Sequence, residues 1–190
     1  MNCQLLWRFL QTTFFILIVS SAAFGQIKHK LKVKLDPESH RIEVVDNITL
    51  SPESLESKQL HFTIHQGLEP EVLDKDIVLR KTIGAEAGRF FTDNPSLQQS
   101  SMNMELFEVN LPEGTEQFTL KYAGEIYHPV QEYGEEYARS FSVSPGIISP
   151  EGIFLSGSTI WYPHFVDELV TFDLDVELPA GWSSVSQGTR

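Results

Sequence analysis

The chain has 190 residues, 26 of them acidic and 14 basic, for a formal charge of −12. That balance lacks the clustered Lys and Arg that counterion release on nucleic acid requires, and it is repelled by anionic membrane surfaces. A hydrophobic fraction of 41% suits one domain with a real core, and the single cysteine, Cys3, has no partner for a disulfide.

Residues 1–25 read as a secretory signal peptide. Arg8 gives a positive start, Phe9 to Val19 is apolar apart from Gln11, Thr12 and Thr13, and Ser20 to Gly25 is a run of mostly small residues. The apolar run falls short of the roughly 20 residues that span a bilayer. Cleavage after Gly25 puts Ala23 at the minus-three position, and cleavage after Ala23 is the close alternative. Cys3 leaves with this segment, so the mature chain is expected to carry out neither disulfide nor thiolate chemistry. The expectation is an exported, soluble protein, periplasmic or extracellular, with no stable membrane insertion and no nucleic-acid partner.

From residue 26 the pattern is that of strands. Ile27, His29, Leu31, Val33 and Leu35 alternate with Lys28, Lys30, Lys32 and Lys34, the period of a half-buried strand whose lysines form a solvated row that blunts a sheet edge. Asp36-Pro-Glu-Ser is turn chemistry, and Ile42, Val44, Ile48 and Leu50 resume the alternation, predicting a hairpin. Further strands are expected at Gln59–Ile64, Ile77–Leu79, Glu105–Leu111 and Gln117–Ala123, parted by Ser51-Pro52, Asp93-Asn-Pro95 and Pro112-Glu-Gly114. Glu69 to Asp76 suits one helical turn, and no longer window shows a convincing helical period. Tyr127 to Pro150 reads as a long functional loop. Thr171 to Leu178 alternates again before a turn at Pro179-Ala-Gly181. The expected fold is all-β: an antiparallel sandwich or curved, saddle-like sheet spanning residues 26–190.

Chemistry is scarce. The six histidines are His29, His40, His61, His65, His128 and His164, none in a His-Glu-x-x-His frame. His61 and His65 are tempting, but on a strand their backbones stand about 13 Å apart, too far to share an ion. Leu155-Ser-Gly-Ser158 lacks the glycine spacing of a nucleophile elbow. Glu135-Glu136, Asp167-Glu168 and the Asp173/Asp175 row read as solvated faces, and no phosphate-cradling glycine loop occurs. No residue is assigned a catalytic or metal-binding role.

Two segments carry a resemblance. The block from Gly152 to Gly188 contains Trp161-Tyr-Pro163 followed by Phe172-Asp-Leu-Asp-Val-Glu-Leu-Pro-Ala-Gly-Trp182, and upstream lies Leu120-Lys-Tyr-Ala-Gly-Glu-Ile126. Together they resemble the N-terminal β domain of bacterial M1-family zinc aminopeptidases. Trp161-Tyr-Pro163 stands where many members have Phe-Pro-Cys, and Leu155-Ser-Gly-Ser158 where a Gln or Glu helps to anchor the substrate's amino end. The resemblance implies an exported scaffold domain, incomplete at its C-terminal edge. Its partners would be a downstream catalytic domain of the same polypeptide, which carries the zinc, and a peptide substrate at the shared cleft. It implies no cofactor in this chain, which alone would be inert, and it makes Ser156, Ser158, Tyr162 and His164 the candidate substrate-contacting residues of the cleft rim. The alternative is a freestanding exported β-sandwich that binds carbohydrate or an envelope protein.

Overall fold

The first two strands set the geometry on which the rest is built. In a computed structural model that describes residues 26–57, 59–93, 104–133 and 141–189, β1 (Gln26–Asp36) and β2 (Arg41–Thr49) form the hairpin that their alternation predicts. The Asp36 carboxylate closes the turn, accepting from Ser39 Oγ at 2.7 Å and from the Glu38 N–H at 3.2 Å. The Ser39 bond holds Asp36 below the usual carboxylate range. The expected signal peptide, residues 1–25, lies outside the described residues, as do residues 134–140 of the expected long loop.

The remaining strands follow as β3 (Gln59–His65), β4 (Glu71–Val72), β5 (Val78–Thr82), β6 (Met104–Asn110), β7 (Gln117–Glu125), β8 (Gln131–Tyr133) and β9 (Phe141–Val143). After them come β10 (Gly146–Ser149), β11 (Gly152–Leu155), β12 (His164–Phe165) and β13 (Leu169–Glu177). The protein is thus mostly β, and its pairing is mostly antiparallel. A five-stranded sheet runs β13-β1-β2-β7-β4, and a four-stranded sheet runs β12-β3-β6-β5. One core lies between them: Leu31, Val44, Leu120 and Tyr122 from the first sheet join Phe62, Val109 and Phe165 from the second. Each such side chain contributes about 1.5–3 kcal/mol when fully buried.

Four features depart from the sequence reading. The Tyr127–Pro150 stretch expected as a long loop holds β8, β9 and β10, with β8 paired to β9 and β10 to β11. β13 pairs with β1 in parallel, from Gln26↔Leu169 to Lys34↔Glu177, so β1 is an interior strand and its lysines guard no edge. Instead they face the carboxylates of β13, with Lys28–Asp173 at 3.1 Å and Lys34–Glu177 at 3.9 Å. Glu69 to Asp76 forms no helical turn: Glu71–Val72 pairs with β7, and the Asp74 carboxylate accepts from the Thr119 N–H at 2.7 Å. Helices occur elsewhere, as α1 (Pro52–Glu56) and α2 (Gly84–Asp93). Ser51 caps α1, its Oγ accepting from the Ser54 N–H at 3.1 Å, with Pro52 in the first turn. α2 covers the outer face of the four-stranded sheet, where Phe90 and Phe91 pack against Met104, Ile160 and Val166.

The Leu120 to Ile126 segment now has a physical reading. Leu120, Tyr122, Gly124 and Ile126 all turn inward, and Gly124 leaves room for the Gly67 backbone: a Cβ there would lie 2.1 Å from the Gly67 carbonyl oxygen. Gly124→Ala is therefore expected to destabilise the fold by about 2–3 kcal/mol. Gly152→Ala, where a Cβ meets nothing within 4 Å, should stay within about 0.5 kcal/mol of the parent. Denaturant midpoints of the two variants check the contrast.

Candidate functional site

The candidate rim is built by the chain between β11 and β12. β10 and β11 form a hairpin with Gly146 opposite Leu155, and a 3-10 turn at Gly157–Thr159 follows. The Thr159 hydroxyl locks this turn onto the hairpin, donating to the Pro145 carbonyl and accepting from the Ser156 N–H at 3.0 Å. Gly146 permits the approach, because a Cβ there would sit 2.4 Å from Thr159 Cγ2. Ile160 then adopts φ 52, a left-handed conformation that costs a β-branched residue about 1–3 kcal/mol. It is held on both sides: its N–H donates to the Gly157 carbonyl at 3.3 Å and its carbonyl accepts from the His65 N–H at 2.7 Å.

Beyond this turn the four candidate residues separate. Ser156 and Tyr162 line one cavity of about 570 Å³ together with Leu31, Trp161, Phe172 and Leu174. Ser158 is exposed, its Oγ 2.7 Å from Ser156 Oγ, so each hydroxyl finds the other rather than a base. Trp161 and Tyr162 pack edge to face at 5.1 Å and are half-buried against the core while also bordering the cavity. Both the core-filling and the surface-lining roles are therefore present. His164 goes elsewhere. It pairs with Thr63 while Phe165 pairs with Phe62, and because Phe62 and Phe165 enter the core, alternation turns His164 to the outer face of the four-stranded sheet.

Beneath Tyr162 lies a buried polar row. The Tyr162 ring meets His29 edge to face at 5.4 Å, and His29 Nδ1 lies 2.7 Å from Asp46 Oδ2, with both side chains fully buried. Asp46 sits diagonally between His29 on β1 and Tyr122 on β7. Burial first, then the Asp46 charge and Tyr162, push the Tyr122 phenol well above its usual range, so it stays neutral. Among the described residues His29 Nε2, Asp46 Oδ1 and the Tyr122 hydroxyl have no hydrogen-bond partner. The sequence carried two signals for this row: His29 and Asp46 each occupy an inward slot of an otherwise apolar alternation.

The outer face gathers other histidines. His61 and His65 flank Thr63 on β3, as their strand spacing predicts. His61 lies 3.7 Å from Glu108 Oε2 and packs on Phe90. Hydrogen bonds from Arg80 and Asn110 hold Glu108 below the usual carboxylate range. His65 Nε2 lies 2.7 Å from His128 Nε2, so one ring donates and the other accepts. Burial and the nearby His128 push His65 down to about 4, and burial also lowers His164. Among the described residues no three His, Cys, Asp or Glu side chains converge to hold a metal ion, and no helix is long and apolar enough to cross a membrane.

No protein-family model, curated protein or solved structure matches the chain.

Two outcomes are expected. Unfolded His65 binds a proton near pH 6.5 and folded His65 only near 4, so between those values the unfolded state holds more protons and acid favours it. Relative to His65→Gln, the parent should lose about 2 kcal/mol of stability as the pH falls from 6.5 to 4, and above that window the difference between the two should no longer change with pH. Chemical denaturation across pH reads this directly. For the buried pair, His29→Leu or Asp46→Leu alone strands its partner and should cost about 3–5 kcal/mol, whereas the double variant should cost less than either. A double-mutant cycle by thermal or denaturant unfolding measures it.

Proposed function

We propose that this chain is the exported N-terminal β domain of an M1-like zinc metallopeptidase, a sandwich or saddle-like sheet that packs on a catalytic domain and walls one side of its cleft. The observation that supports this reading best is that the Gly152–Gly188 block, which carries the family resemblance, folds into one contiguous apolar groove. Its cavities, of about 440 and 570 Å³, share Leu155, Trp161, Leu174 and Val185. Phe172 beside them is 40% exposed and Val185 is 94% exposed. Apolar surface concentrated in this way marks an interaction site.

In this reading zinc and its glutamate base belong to the catalytic domain, where the metal polarises the scissile carbonyl and activates water. This chain's part is to exclude solvent and shape the rim. Ser156 and Tyr162 present hydroxyls at the groove, and neutral hydroxyls hold an ammonium less strongly than a carboxylate does. The reading therefore carries a preference weaker than that of an aminopeptidase for a free amino end. His164 faces the other side of the four-stranded sheet, away from this groove.

A second reading, a freestanding module binding carbohydrate or an envelope protein, draws on the two indole rings, Trp161 and Trp182, that line the same cavity, since aromatic faces pair well with the apolar faces of sugars. Reading the gene about 300 codons past codon 190, the span of a further domain or two, separates the two. A frame reaching His-Glu-x-x-His with a glutamate ligand downstream is expected, together with no peptide turnover by residues 26–190 alone. A stop codon at that point selects the binding module.

A further inference from the structure

We propose that the outer edge of β13 is a strand-docking site that takes up an extended segment of a partner protein whose side chains alternate basic and apolar. This inference uses β13 and its neighbours only and does not depend on the peptidase reading.

β13 ends the five-stranded sheet, and among the described residues no strand pairs with the edge turned away from β1. Every second residue of a strand directs its N–H and C=O to one side, so roughly four residues of Leu169–Glu177 offer both groups to a new neighbour. Sheet edges are ordinarily blunted by Pro, charged side chains, a bulge or a covering loop. This one, Leu-Val-Thr-Phe-Asp-Leu-Asp-Val-Glu, has no Pro and holds a continuous nine-residue register with β1, and its only charges are carboxylates, which repel an acidic strand and leave the edge open to a basic one.

The two faces of β13 then specify the occupant. Its inward row, Val170, Phe172, Leu174 and Val176, shares a face with Ile27, His29, Leu31 and Val33, yet stays half-buried or exposed where theirs is buried. The segment Trp182–Thr189 borders this groove and the strand's edge without pairing to it as a strand, and leaves cavities between itself and β13 wide enough to admit a strand. An added strand would lay apolar side chains there. The outward row is Thr171, Asp173, Asp175 and Glu177. Lys28 and Lys34 reach Asp173 and Glu177 from the β1 side, while among the described residues no ion pair joins Asp175. An added strand would set its outward side chains against these carboxylates from the open side, and opposite charges across strands attract. β1 already satisfies the same two rows on the other flank, lysine against carboxylate and apolar against apolar.

A second copy of this chain fits poorly. Edge-to-edge pairing of β13 with itself sets Asp173, Asp175 and Glu177 against the same residues, between molecules that each carry −12. The acidic row thus deters self-association and selects a basic partner.

The test uses a fluorescent nonapeptide, Ile-Lys-His-Lys-Leu-Lys-Val-Lys-Leu, which copies residues 27–35, titrated with the purified chain at low salt. Expected are saturable anisotropy and slowed amide exchange across Leu169–Glu177. Affinity should fall about tenfold in Asp175→Lys, an exposed substitution that should leave the far-UV circular dichroism unchanged, and about tenfold for a peptide of the same composition with its alternation scrambled. Equal binding of the scrambled peptide would reduce the site to bulk attraction and overturn the proposal. Absence of exchange protection in β13, or a dimer of the chain alone that Asp175→Lys dissolves, would overturn it as well.

Discussion

Everything around the site is arranged about one buried contact, the 2.7 Å hydrogen bond between His29 and Asp46. It joins the first two strands on the inward face of the larger sheet, and Tyr122, Tyr162 and Phe165 gather around it from β7, the rim segment and β12. A pair of this kind adds little net stability, since an apolar pair of similar volume would cost less to bury. What it supplies is register. Sliding β1 by one residue would turn Lys28, Lys30, Lys32 and Lys34 into the core and strand Asp46 without a partner, so competing pairings are heavily penalised.

The same register carries through to β13. The chain leaves β12, turns through Asp167 at φ 62, and is caught at Glu168, whose Oε1 accepts from Ser54 Oγ at 2.6 Å and Ser51 Oγ at 3.0 Å. Those serines belong to the α1 cap that follows β2, at the Gln26 end of the sheet. β13 therefore starts level with the start of β1 and must run parallel to it. A carboxylate that the sequence suggests is solvated thus fixes the direction of the strand that borders the groove.

What the sequence made legible follows from the range of each interaction. The period-two alternation of β1, β2 and β13 is local, and so is the turn at Asp36, and both could be read directly. The direction of β13 depends on Glu168 meeting residues more than a hundred positions earlier, and the His65–His128 contact joins positions 63 apart; no local pattern encodes either. α2 was hidden because Gly84 and Gly88 weaken its helical signal, and it owes its place to Phe90 and Phe91 on the outer face. Among the candidate rim residues, Ser156 and Tyr162 border the same cavity because one short segment carries both. His164 lies apart from them by parity: with Phe165 committed to the core, its neighbour in the strand faces the other way.

That parity exposes a connection between the two faces. His65 is tied to two loops at once, its backbone N–H to Ile160 and its ring to His128. Ile160 is the strained residue that turns the chain toward Trp161 and Tyr162, and strain of that kind persists only where its surroundings over-determine it. Here the surroundings are the Thr159 hydroxyl, bonded to the Pro145 carbonyl and the Ser156 N–H, and the His65 N–H. The aromatic wall of the groove is therefore held in place from the opposite side of the sheet, by a residue that never reaches the groove.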